Sequence, residues 1–83
     1  MSHSTKISID NRDKYIEMGL NISFYRRRAG MTQEQLAEKA EISRSYLGDI
    51  EAPSIVKTIS LEVLFNLAKA LQIPASKLLE FRD

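Results

Sequence analysis

Residues 33–51 read QEQLAEKAEISRSYLGDIE, and this stretch decides the fold. In its first half, Leu36, Ala37 and Ala40 fall on one side of a short helix running from Gln33 to Ala40. Thr32-Gln33-Glu34-Gln35 ahead of it is a capping box: the Thr32 hydroxyl caps free amides and Gln35 can reach back. Glu41-Ile42 breaks the periodicity, and Ser43 is a strong N-cap for a helix from Arg44 to about Glu51. Pro53 keeps that helix from running on, because proline lacks an amide proton and its ring clashes with the preceding turn. Leu36, Ala40, Ile42, Leu47 and Ile50 are apolar where the two helices must pack on the rest of the chain. Ala37 is small where one helix crosses close over the other. Gln33, Arg44, Ser45, Gly48 and Asp49 stay polar or small on the outward side.

Working outward, Ile16, Met18, Gly19, Ile22, Tyr25 and Ala29 recur at helical spacings from Tyr15 onward. Asp10, Asn11 and Asp13 offer caps, and Gly30 can take the left-handed position that stops the helix. Residues 1–13 are polar apart from Met1, Ile7 and Ile9 and read as a flexible N-terminal arm, leaving 14–83 as the domain. Downstream, Ala52 to Ile59 form a loop. Ser60 caps a helix from Leu61 to Leu71 with Leu61, Leu64, Leu67, Ala68 and Leu71 as its apolar stripe. Pro74 ends that segment, and Ala75 to Phe81 can form a short fifth helix. The expected fold is all-α.

Composition sets the function classes. The chain has 83 residues, with 43% hydrophobic and 28% charged residues, the balance of one small globular domain rather than of a disordered chain. The absence of cysteine excludes disulfides, a thiolate nucleophile and Cys-based zinc sites. Three glycines and two prolines are too few for a chain of tight hairpins. With no apolar run near the ~20 residues of a membrane span and no apolar leader, the expected location is cytoplasmic. Such a length is also expected to leave no room for a separate ligand sensor. The one histidine, His3, stands in the polar terminus, and there is no Gly-rich phosphate loop, GxSxG or HExxH. No catalysis, cofactor or metal is expected. The net charge is only +1, but it is unevenly spread: residues 1–30 carry +3, with Arg26-Arg27-Arg28 as its focus, whereas residues 31–59 carry −2.

Two short helices in this arrangement make a helix-turn-helix, and here the match becomes specific. The stretch Gly19 to Leu79 resembles the Cro/repressor-type (XRE-like) helix-turn-helix regulators of bacteria and phages. It does so through GLNISFYRRRAGMTQEQLAEKAEISRSYLGDIE and, after the loop, SLEVLFNLAKALQIPASKLL. Within these, R-x3-GMTQEQLAEKA, ISRSYL-x2-IE and L-x2-LAKAL are the most recognisable strings. The resemblance covers about three quarters of the chain, in order. It implies a five-helix, lambda-repressor-like domain whose third helix, residues 44–51, enters the major groove of double-stranded DNA. Two departures stand out. Glu41 occupies a turn position that is normally glycine. The usual E-x-G loop with a later Asn-Pro is replaced by Glu51-Ala52-Pro53-Ser54-Ile55-Val56-Lys57-Thr58.

The resemblance also implies roles. Arg44 and Ser45 open the third helix and face base edges, arginine donating twice to guanine. Asp49, one turn on, either accepts from cytosine N4, orients Arg44, or is a surface residue. Gly48 marks a close approach to DNA or a neutral site. Gln33 touches phosphate and braces the third helix, while Thr32 either does the same or only caps. Tyr46 packs under the third helix or reaches a phosphate, and Lys57, Ser54 and Thr58 are the loop's candidate phosphate contacts. Arg27 and Arg28 suit either phosphate or the helix dipole. Arg26 pairs with Glu51, a structural ion pair.

The expected function is sequence-specific transcriptional regulation by occupying an operator as a homodimer, because one recognition helix offers too few base edges alone. Leu79 and Phe81, with Ile55 and Val56 from the loop, are the candidate dimer surface, whereas Leu78 is expected in the core. The rival is a protein-interaction module of the same fold, such as an antitoxin or an anti-repressor partner, which the −2 of residues 31–59 favours somewhat.

Overall fold

The computed structural model describes residues 7–81. Four α-helices and one 3-10 helix follow in order: α1 Ile9–Arg28, α2 Gln33–Ala40, α3 Arg44–Glu51, α4 Leu61–Leu71, and the 3-10 helix Ala75–Leu79. There is no strand among the described residues.

Three of the four α-helices begin on the hydroxyls expected of them. The side chains of Thr32, Ser43 and Ser60 accept from the backbone amides of Gln35, Tyr46 and Val63 at 3.0–3.1 Å. The Gln35 side chain returns a contact to the Thr32 amide at 2.9 Å, which completes the capping box. Helix α3 ends on extended Ala52, but the other three α-helices end at left-handed residues. Gly30 does so at φ 73°, as its lack of a Cβ permits. Glu41 and Gln72 do the same at φ 61° and 59°, at a steric cost of about 1–2 kcal/mol each. In both cases the next amide closes the helix, Ile42 onto the Ala37 carbonyl and Ile73 onto that of Ala68. It is therefore Gln72, two residues before Pro74, that stops α4.

Two boundaries differ from the sequence reading. Helix α1 starts at Ile9, so residues 9–13 of the expected arm are helical; residues 7 and 8 precede the helix, and the rest of that arm, residues 1–6 with His3, lies outside the described residues. The first turn has Ile9 at 83% exposure and buries nothing, so apolar periodicity carries no trace of it. Asp10 beside the helix N-terminus supports it instead. The fifth helix is one short 3-10 helix over Ala75–Leu79, not an α-helix to Phe81. Its tighter i→i+3 turn closes between Pro74 and the end of the domain, and the Asn21 side chain draws the Leu78 and Glu80 carbonyls across to α1 at 3.1 Å each.

The core is built from Met18 and Ile22 of α1, Leu36, Ala37 and Ala40 of α2, Leu47 and Ile50 of α3, Leu64, Leu67, Ala68 and Leu71 of α4, and Leu78. Helix α2 packs against both α3 and α4, and α1 against α3 and the 3-10 helix. Gly19 lets α1 meet α3 backbone to backbone at Ile50. The result presents one side of α3, with the N-terminus of α2 beside it, to solvent.

Candidate nucleic-acid interface

Helix α3 buries Leu47, Ile50 and Glu51. At about 100° per residue, the opposite direction falls between Ser45 and Asp49, with Arg44 and Gly48 on one flank and Tyr46 on the other. Arg44 and Ser45 are exposed at the capped N-terminus, and Asp49 is half-buried one turn later.

A buried polar network fixes this helix against α1 and α2. Arg26 Nε and Nη2 donate to Glu51 Oε2 and Oε1 at 2.8 and 2.9 Å, a two-pronged fit of planar guanidinium to carboxylate. The third arm, Nη1, donates to the Met31 carbonyl at 2.8 Å. Gln33 Nε2 donates to Glu51 Oε1 at 3.0 Å, so Glu51 holds the first residue of α2 as well as α1. Arg26 and Glu51 are only 9% and 7% exposed, and no buried side-chain polar atom among the described residues lacks a partner.

The loop after α3 is tied back to it. The Tyr46 hydroxyl donates to the Thr58 carbonyl at 3.0 Å, which commits its only proton inside the domain rather than to a phosphate. Lys57 Nζ lies 3.3 Å from Asp49 Oδ2, so these two candidate residues face one another. Thr32 is exposed, its hydroxyl serving as the cap of α2.

This chain is similar to proteins whose names speak to that surface. The helix-turn-helix family profile matches residues 22–78, more than half of the chain. The chain belongs to this family. It is an XRE/Cro-type regulator with a DNA-binding helix-turn-helix, not an enzyme. Control protein C.SmaI of Serratia marcescens is 39% identical over 59 residues, 71% of this chain and 68% of that protein. The immunity repressor protein of Bacillus phage phi105 is 46% identical over 59 residues, and the match spans 40% of the repressor's length. Among solved structures, the restriction-modification controller protein C.AhdI from Aeromonas hydrophila superposes with a TM-score of 0.74 at 30% identity, covering 80% of this chain and 97% of the controller. The hypothetical transcription factor NHTF from Neisseria gives 0.75 at 25% identity, covering 95% and 87%.

The other candidate residues of this regulator scatter more widely. Arg27 and Arg28 are exposed at the end of α1, lining a shallow hollow with Leu20, Phe24 and Pro53 by the C-terminal end of α3, away from Arg44. Leu79 is 44% exposed and Phe81 half-buried against the core, while Leu78 is fully buried. Ile59 and Leu61, rather than Ile55 and Val56, line one apolar hollow with Leu79 and Phe81. Leu61 is 66% exposed and does not join the inward stripe of α4, because the first residue of the helix projects past the core. Sequence reading also missed Asn21, whose clamp on the C-terminal carbonyls holds Leu79 at this hollow. Among the described residues no group of acids and histidines could hold a metal, and no helix is long and apolar enough to cross a membrane.

Proposed function

We propose that this protein controls transcription by occupying an operator as a homodimer, with α3 in the major groove. The observation that carries this reading is the exposed, capped start of α3, with Arg44 and Ser45 projecting from a helix that Arg26, Glu51 and Gln33 lock in place. A base-reading side chain must be held by a rigid element, and this one is. Arg44, Ser45 and Asp49 read bases, while Thr32, Gln33, Arg27 and Arg28 act toward phosphates. The names controller and repressor among its relatives support the same role.

Selection of bound sequences from random duplex DNA tests the proposal. Arg44→Ala is expected to lose about 1–3 kcal/mol on the selected site and to relax preference at one base position. An equal loss on random DNA would reduce Arg44 to a phosphate contact. A chain that enriches no duplex would favour a protein partner instead.

Dimerisation uses the apolar hollow of Ile59, Leu61, Leu79 and Phe81. Two copies joined there would present their α3 helices to half-sites about 34 Å apart in a palindrome. Leu79→Glu is expected to raise the dimer dissociation constant roughly tenfold or more without unfolding the monomer, since Leu79 is already exposed. Sedimentation measures both. Wild-type protein that stays monomeric at high concentration and binds a single asymmetric half-site would exclude the dimer.

A further inference from the structure

Asp49 is the one carboxylate on the outward side of the recognition helix, a place where DNA phosphates would repel an isolated negative charge. The structure gives it a partner. Lys57 Nζ lies 3.3 Å from Asp49 Oδ2, with the two side chains 41% and 39% exposed. An exposed ion pair alone is a weak constraint, but here the loop is also pinned next door. The Tyr46 hydroxyl holds the Thr58 carbonyl at 3.0 Å. Tyr46 and Asp49 are one turn apart on α3, and Lys57 and Thr58 are adjacent in the loop. The backbone therefore delivers the ammonium to the reading side of the helix.

We infer that Asp49 and Lys57 form a single unit that reads one C·G base pair, an inference that rests on the operator reading above. In the major groove a C·G pair presents the cytosine N4 donor beside the guanine O6 and N7 acceptors. The carboxylate keeps one oxygen free to accept from cytosine. The ammonium, with three protons, keeps two to donate to guanine. Together they carry no net charge, which lifts the phosphate repulsion that Asp49 would face alone. A T·A pair would instead set the thymine methyl against these charged groups. Lys57 is thereby assigned to base reading in place of the phosphate contact expected from sequence.

The experiment selects bound sequences from random duplexes with wild type, Asp49→Asn, Lys57→Met and the double variant, followed by titration of the wild-type site and its single-base variants. Neither residue belongs to the core, so the variants are expected to fold, and thermal unfolding checks this. The wild-type motif should hold a C·G position that Arg44→Ala leaves intact. Lys57→Met should abolish a preference there of roughly ten- to a hundredfold, with the rest of the motif unchanged. Asp49→Asn should move that position toward A·T, because asparagine pairs with adenine N6 and N7. The double variant should lose little more preference than Lys57→Met alone. The inference is overturned if Lys57→Met weakens all duplexes alike with a salt slope smaller by about one, the mark of a phosphate contact. It is equally overturned if both variants select the wild-type motif. If wild type enriches no duplex, the operator reading falls and this inference falls with it.

Discussion

Glu51→Ala is expected to lower the unfolding free energy by about 3–5 kcal/mol, the cost of removing one partner of a buried ion pair. The loss is large for a domain of this size, whose whole stability is about 4–12 kcal/mol. The Arg26 guanidinium would keep only the Met31 carbonyl, and Gln33 would lose the acceptor that orients its amide. Replacing both charges, Arg26→Met with Glu51→Leu, leaves no uncompensated ion and should recover most of the loss. That double variant separates two roles of the pair. It should fold yet bind DNA less tightly, because nothing then fixes Gln33 beside α3. Urea unfolding gives the comparison directly. Equal midpoints for wild type and Glu51→Ala would mean that the pair does not hold α1 to α3.

What was legible in the sequence was what is encoded locally. The bounds of α2, α3 and α4 were readable because Thr32, Ser43 and Ser60 each cap within three residues of themselves. The exposure of Ser45 followed from the same register, once Leu47 and Ile50 were assigned inward, and that of Arg44 from its place at the first position of the helix. The start of α1 was not readable, since its first turn makes no apolar contact to leave a pattern. The end of α4 at Leu71 agrees with the expected bound, but its cause was not readable, since a left-handed residue other than glycine at Gln72 gives no compositional sign. The clamp of Asn21 on Leu78 and Glu80 joins residues nearly sixty positions apart, and no local rule reaches that far. The pairing of Lys57 with Asp49 depends on the path of an irregular loop, which has no periodicity to read. The third helix and the Arg26–Glu51 pair that anchors it could thus be placed from sequence, but the Lys57 partner of Asp49 required the fold.

Two glycine substitutions are expected to have opposite signs, and the larger tests how α1 meets α3. In a helix interior alanine is favoured over glycine by about 1 kcal/mol, so propensity alone predicts that both Gly19→Ala and Gly48→Ala stabilise. Gly48 obeys that rule: a Cβ there would have the Gln33 side-chain oxygen as its nearest neighbour at 3.7 Å, an ordinary contact. Gly19 does not. Its Cβ would collide with the Ile50 carbonyl oxygen and lie 3.1 Å from the Ile50 carbonyl carbon. These are backbone atoms of a helix and cannot swing aside as a side chain would. The two helices must separate, at about 3 kcal/mol, the upper end of the usual overpacking cost. Separation at Ile50 also moves the adjacent Glu51 away from Arg26, so part of the ion-pair loss is incurred as well. Gly19→Ala should therefore lower the urea midpoint strongly, whereas Gly48→Ala should raise it slightly. A stabilised Gly19→Ala would mean that α1 and α3 are not in backbone contact at this point.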